Sequence, residues 1–292
     1  MLTATTLRQF NDSVLSTTIF LERELRAHLV HRDRLVFDSN YVPPIERTKR
    51  VAHIYLQLDG HFAIQGQPSS TSPVGYLLHE DEFDCVQPGA PRFRSWGTPG
   101  VILEVRVPTD YLRVPIGIAH GPLPLTDAVW NACTELRETK SEQSVKRVLA
   151  ALADCGVFEH RLLGTIVDDE PERFARLWDV LRPLYGEMAV SSSLKQIAVL
   201  TKLSLRQLGR DLSDLTRTFG LLGGGFREAM RVLRLRAAVL ILSAPGVTPS
   251  EVAKLVGYGS LDAMGRAFRD ATLPAPSVVQ AAVRYPSASA ST

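Results

Sequence analysis

The chain has 292 residues, 45% of them hydrophobic and 22% charged, a balance that belongs to globular domains and is too apolar for a disordered chain. Its length suits two domains better than one. The formal net charge of +2 hides an asymmetry: from Ser191 to Tyr285 there are 13 Lys and Arg against 6 Asp and Glu, which from totals of 33 and 31 leaves 20 against 25 elsewhere. A basic end on a nearly neutral chain points to a polyanionic partner for that end. Apolar runs such as Val239-Leu240-Ile241-Leu242 fall far short of the roughly 18 residues of a membrane helix, so no membrane partner is expected. The first residues, MLTATTLRQFNDSV, lack a basic stretch followed by an apolar one and read as no signal peptide. Cys85, Cys133 and Cys155 form no CxxC pair, which argues against a disulfide framework or zinc knuckle and fits a reducing cytoplasm.

Residues 1 to about 30 read as helical, because Leu7, Phe10, Val14, Leu15, Ile19 and Leu25 recur at spacings near three to four. Residues 34 to 119 change character. Short apolar pieces (RLVFD, VAHIYLQLDG, HFAIQG, VGYLLHE, VILEVRVP) alternate with YVPP, GQPSSTSP, QPGAP and WGTPG, as in a small β-barrel or sandwich. Val51 to Leu58 and Val101 to Val107 have the β-branched content of strands.

From Leu125 the pattern is helical again. One helix starts at Thr126 or Asp127 and runs through Glu138; another follows Ser141, with Val145, Val148, Leu149 and Leu152 on one face. A third begins at Pro171, carries Phe174, Leu177, Trp178 and Leu181, and is expected to end or kink at Pro183. These apolar stripes serve either as internal core or as dimer contacts.

Ser193 to Phe219 reads as two short helices around a tight turn. Leu194, Ile197, Ala198 and Leu200 form the apolar side of the first; Ser204 caps the second, whose inner face is Leu205, Leu208, Leu212 and Leu215. Arg206, Gln207 and Arg210 are left outside, where Arg can pair with guanine and Gln with adenine in a major groove. The arrangement recurs. Thr248, Pro249 and Glu251 form a capping box before Val252, Ala253, Leu255 and Val256. Gly257 permits a positive φ, Tyr258 anchors the turn, and Ser260 caps a helix with Met264, Ala267 and Phe268 inside. Leu261, Asp262, Gly265, Arg266 and Arg269 remain outside. A helix from about Phe226 to Leu242 lies between the units, with Met230, Leu233, Ala237, Ala238 and Ile241 facing both.

On these residues the chain resembles the AraC-type (AraC/XylS) regulators over close to a third of its length. The resemblance rests on Arg234-Leu235, Ala238, Ile241-Leu242, Val252-Ala253, Gly257-Tyr258, Gly259-Ser260, Met264 and Arg266-Ala267-Phe268-Arg269. The first unit contributes Ile197-Ala198, Leu203-Ser204, Leu208 and Arg210. The chain departs from the family pattern at Lys202, where a glycine is usual, at the long GLLGGGF connection, and at Leu261 and Ala263, where polar residues are usual. The Gly220 to Gly225 connection is expected to be mobile. The resemblance implies a sequence-specific regulator that binds double-stranded DNA in the cytoplasm, with a homodimer, a small-molecule effector and RNA polymerase as further partners. The DNA-binding set is Ser204, Arg206, Gln207, Arg210, Lys254, Ser260, Leu261, Asp262 and Arg266, with Arg266 a backbone-positioning residue rather than a base reader.

The expected fold is α+β: a β-rich, cupin-like sensing or dimerising domain with an N-terminal helix (1–120), a helical connecting region (121–187), an all-α domain with two helix-turn-helix units (188–285) and a frayed tail (286–292). Tyr55, Phe62, Tyr76, Phe93 and Trp96 either line a small-molecule pocket or fill the barrel. A metal-dependent cupin enzyme would draw on His53, His61, His79, Glu80, Glu82 and Glu104, but no H-x-H pair occurs, and no cofactor, catalytic residue or metal site is assigned. A protein-interaction regulator with a decayed DNA-binding domain is the other alternative.

Overall fold

The computed structural model describes residues 1–43, 51–64, 69–79, 92–113, 120–167, 170–187, 193–221 and 225–284. It begins with strands where the sequence pattern suggested a helix. β1 (Leu2–Phe10), β2 (Ser13–Leu21) and β3 (Arg26–Asp33) form an antiparallel meander. Threonines explain the difference: Thr5 with Thr18 and Thr6 with Thr17 pair across β1 and β2 at 3.2 and 2.7 Å. Asn11, with φ of 50°, makes the two-residue turn that sets Phe10 opposite Ser13.

Then come β4 (Phe37–Asp38), β5 (Val51–Ile64), β6 (Ser70–Thr71), β7 (Val74–His79), β8 (Phe93–Pro108) and β9 (His120–Pro122). The order across the sheet is β1-β2-β3-β8-β5-β7-β9, with β4 on β8 and β6 on β5. β5 joins two expected pieces into one strand, and β8 runs through the WGTPG stretch that was expected to separate strands. The two strands cross this irregularity together. Their register shifts on either side of Asp59, and Gly60 takes φ of +93° where a Cβ would lie 2.4 Å from the Trp96 carbonyl oxygen.

One face of the sheet is apolar. Leu29, Ile54, Leu56, Leu103 and Val105 pack against α1 (Asp127–Thr139) and α2 (Glu142–Asp154). Ser141 caps α2 by accepting from the Ser144 amide, as its sequence suggests. Val145, Val148, Leu149 and Leu152 are fully buried there, so this stripe is core and not a dimer surface.

The helices that follow pack on the other face. They are α3 (Glu172–Glu187), α4 (Leu194–Thr201), α5 (Leu205–Phe219), α6 (Phe226–Leu242), α7 (Pro249–Leu255), α8 (Leu261–Asp270) and α9 (Pro276–Val283). Leu2, Ala4, Ile19 and Leu21 share a core with Phe174, Leu177, Trp178 and Leu181 of α3 and with Ile197, Leu208, Leu215 and Phe219 of α4 and α5. The Trp178 indole donates to the Thr3 carbonyl at 2.9 Å. The α3 stripe is thus core as well. The helix also runs past Pro183, where only the bond to the Asp179 carbonyl is forgone, instead of stopping.

Phe10, Leu15 and Leu35 share a second core with Leu235, Ile241, Val252, Met264, Phe268 and Val279. Met230 and Leu233 of α6 belong to the first core, and Ala237, Ala238 and Ile241 to the second, so one helix ties both units to the sheet as its spacing suggests. The α9 helix was not anticipated. Val279 and Val283 are buried in the second core, and Gln280 donates to the Val247 carbonyl at 2.7 Å. The 286–292 tail and most of the glycine connection lie outside the described residues.

Because the sheet lends side chains to the helical cores, damage in β2 must be felt in α4 and α5. Leu21→Ala is expected to destabilise the chain by about 2–5 kcal/mol in urea unfolding. Amide exchange in α4 and α5, where nothing was changed, should accelerate with it.

Candidate nucleic-acid interface

The helical half contains the same structure twice. Ser193 caps α4 and Thr248 caps α7, each in a reciprocal capping box, with Gln196 and Glu251 returning the bond. Ile197, Ala198 and Thr201 are buried in α4; Val252, Ala253 and Val256 occupy the same places around α7. The chain then turns through a left-handed residue, Lys202 at φ of 56° and Gly257 at φ of 81°. The next amide, of Leu203 or Tyr258, donates back to Ala198 at 3.0 Å or Ala253 at 2.8 Å. Lys202 therefore meets the conformational demand that glycine meets at Gly257, at the steric cost of a Cβ. Leu203 and Tyr258 each pack on their unit's core, and burial raises the Tyr258 hydroxyl's pKa above its ordinary value.

Four leucines expected inside are outside. Leu200 is 68% and Leu205 53% exposed, with Leu194 and Leu255 more than a third exposed. In α4 the inner position falls to Thr201, whose hydroxyl is satisfied by the Ile197 carbonyl at 2.8 Å, and Leu200 is turned out. Leu255 stands in the same position of α7, with Val256 inside.

The second helix of each unit is capped by serine. The Ser204 hydroxyl accepts from the Gln207 amide at 3.2 Å and the Ser260 hydroxyl from the Ala263 amide at 3.1 Å. Counting from those caps, Leu205 matches Leu261, Leu208 matches Met264 and Arg210 matches Arg266. Leu208 and Met264 are fully buried; Leu205, Leu261, Arg206, Asp262, Arg210, Arg266 and Arg269 are exposed. Lys254 is exposed on the last turn of α7. Arg206, Arg266 and Lys254 make no hydrogen bond or ion pair to other described residues. Gln207 is half-buried, and its amide is engaged on both sides: it donates to the buried Asp211 carboxylate at 2.7 Å and accepts from Arg210. It steadies Arg210 instead of offering a free amide.

Sequence reasoning missed a charged patch on the sheet. Arg26, His28 and Arg32 alternate along β3, His53 and Gln57 along β5, and Glu104 and Arg106 along β8; cross-strand pairing puts them on the face that the helices cover. Reading β3 as a helix hid this two-residue spacing. Glu104 accepts from His53 at 2.7 Å and pairs with Arg26 at 3.2 Å. Burial alone would raise the Glu104 carboxyl, but Arg26 and the two histidines hold it well below the ordinary carboxylate range. Burial pushes His28 down to about 4, against the pull of Glu104. Arg32 is buried, lies 5.2 Å over the Phe37 ring and donates to Ser95 at 3.5 Å, and burial lowers its guanidinium to about 10.

Tyr55, Phe62, Tyr76 and Phe93 are buried and stack on one another with centroids 4.7–6.2 Å apart, so they fill this part of the sheet. Trp96 stands apart, stacked on His61 at 5.3 Å. Of the candidate metal ligands, Glu80 and Glu82 lie outside the described residues, as does the His79 side chain, and no group of three ligand types converges among the described residues. No helix of the described residues is long and apolar enough to cross a membrane.

No family model matches the chain, and no curated protein matches it. Among solved structures the chain is similar to ToxT from Vibrio cholerae at 11% identity and a TM-score of 0.36, over 88% of this chain and 98% of that one. It is similar to a structure of the same protein bound to an unsaturated fatty acid at 12% identity and 0.34, over 89% and 96%. The AraC-like transcriptional activator CuxR gives 13% identity and 0.33, over 78% and 84%. At these scores neither a residue nor a ligand is carried across to this chain.

Two outcomes follow from these local geometries. Lys202→Gly should raise stability by about 0.5–1 kcal/mol in urea unfolding, since glycine removes the Cβ penalty of the left-handed turn. Acid should destabilise the chain in two steps. His28 has a folded pKa below its unfolded one, so its stabilisation is full above the ordinary imidazole value of 6.5 and declines as pH falls toward about 4. Glu104 is depressed too, so its share is full above 4.5 and is lost below that. His28→Gln should shrink the upper step in a plot of unfolding midpoint against pH, leaving the smaller share of His31, whose imidazole burial also lowers, and should leave the lower step.

Proposed function

We propose that this chain is a sequence-specific, DNA-binding transcription regulator of the AraC type. The observation that supports this most strongly is the repeated unit. Two helix-turn-helix pairs, alike cap for cap and turn for turn, each leave an arginine at the same exposed place on the second helix, Arg210 in one and Arg266 in the other. A serine-capped helix with outward arginines fits a major groove, where a bidentate arginine reads guanine. Arg206 and Arg210 are the base readers of the first unit. Arg266 and Lys254 hold phosphate in the second, where Ser260 adds a hydroxyl near the backbone and Leu261 offers contact to a thymine methyl group. Asp262 accepts from a cytosine amine. Ser204 sets the start of the first recognition helix.

The sheet half answers to a small molecule. Arg26, Arg32 and Arg106 share a covered face with Glu104, an excess of positive charge that suits an anionic effector. One chain holds two readers, so a single copy can engage two grooves. The α2 and α3 stripes are taken up inside the chain, which leaves any dimer contact to other surfaces.

Fluorescence anisotropy with duplex DNA from upstream of the chain's own gene, against scrambled DNA of equal length, tests the reading. Specific binding should exceed the control by about a thousandfold and persist at added salt. Arg206→Ala with Arg210→Ala should reduce specific affinity at least about tenfold. Lys254→Ala should weaken both duplexes alike and lower the salt slope by about one. Equal, salt-labile binding to both duplexes would contradict the proposal and favour a protein partner.

A further inference from the structure

We infer that Arg106 is a positioning residue for DNA reading: it fixes the orientation of the first recognition helix by holding that helix's C-terminal end to the sheet. Arg106 lies near the end of β8, opposite Arg26 on one side and His53 on the other, two residues from Glu104 on the same face. It is 9% exposed. Its guanidinium donates to the carbonyl of Phe219 at 3.3 Å and to that of Gly220 at 3.1 Å.

Those carbonyls stand where α5 ends. The last carbonyls of a helix have no intrahelical donor and carry the negative end of its dipole, so a buried cation there is well matched. Gly220 takes φ of +55°, and a Cβ on it would come within 3.0 Å of the guanidinium. The bare backbone of that residue is what allows the close approach. Phe219, next to it, is buried against Phe174 and sets the depth of the helix end, while Arg106 adds direction. At the other end of the same helix stand Ser204, Arg206 and Arg210. Leu208, Leu215 and Phe219 hold the helix to the core along its length, and the Arg106 contact at Gly220 fixes the direction of its C-terminal end; a rigid helix carries a change of direction there to Arg206 and Arg210.

The second unit is fastened differently. Ser243, just after α6, accepts from the Val36 amide at 2.8 Å, and Arg94 reaches the Ala282 carbonyl in α9 at 3.3 Å. Arg106 bonds to the end of the first reader, and it is joined to the charged face that the proposed effector would occupy. This inference rests on the DNA-binding reading and names the residue through which the sheet bears on it.

The test uses the full chain with Arg106→Gln, and begins without DNA. Hydrogen exchange should accelerate at the Gly220 and Leu221 amides and the last turn of α5, with the last turn of α8 unchanged. In the DNA assay the variant should lose about tenfold in affinity. Base changes in the half-site read by the first unit should then matter less than in the wild type, with those in the other half-site mattering as before. Uniform acceleration throughout the chain, or unchanged exchange at the end of α5, would overturn the inference. So would altered exchange with wild-type affinity and half-site preference. A wild type without specific DNA binding would overturn both this and the regulator reading, whereas unchanged exchange overturns this one alone.

Discussion

The structure depends on one sheet face being asked to cover two helical units. The meander of β1, β2 and β3 supplies Leu2, Ala4, Ile19 and Leu21 to one core and Phe10 and Leu15 to the other. Burying a large aliphatic or aromatic side chain is worth about 1.5–3 kcal/mol, so these few residues join the halves more firmly than surface ion pairs can. Beside both apolar ends, on β3 and β8, runs the charged stretch of Arg26, His28, Arg32, Glu104 and Arg106, with Arg26 opposite Leu21 and Arg32 opposite Leu15.

The two helix-turn-helix units inherit their spacing from that arrangement. The α6 helix has its first half in one core and its second half in the other, and its 17 residues set how far apart the two units stand. Within each unit the physics is local: a capping box, a buried alanine at the close crossing, a left-handed turn and a serine cap. The exposed residues then follow from helical period. Arg210 and Arg266 face outward because Leu208 and Met264, two positions earlier, face in.

The sequence made the two units legible because their signals are short-range. Caps, turn residues and the three-to-four spacing around Ala198 and Ala253 all act within a few residues, and α6 from Phe226 to Leu242 was read to its ends. Other elements were hidden for identifiable reasons. β2 is buried on both faces along most of its length, so its apolar residues fall at helical as readily as at strand spacing. The choice between Thr201 and Leu200 for the inner position depends on a hydroxyl finding the Ile197 carbonyl, which spacing cannot show. The Arg106 contact joins residues more than a hundred positions apart and depends on strand pairing that the misread N-terminus concealed.

In vitro selection from random duplexes with the full-length chain tests the central claim most directly, because it requires no knowledge of the natural site. Two readers held at fixed spacing on one body should enrich a motif with two short blocks at constant separation, and changing that separation by half a helical turn should abolish binding. Enrichment of a single block, of two blocks at variable separation, or of no motif would contradict the account.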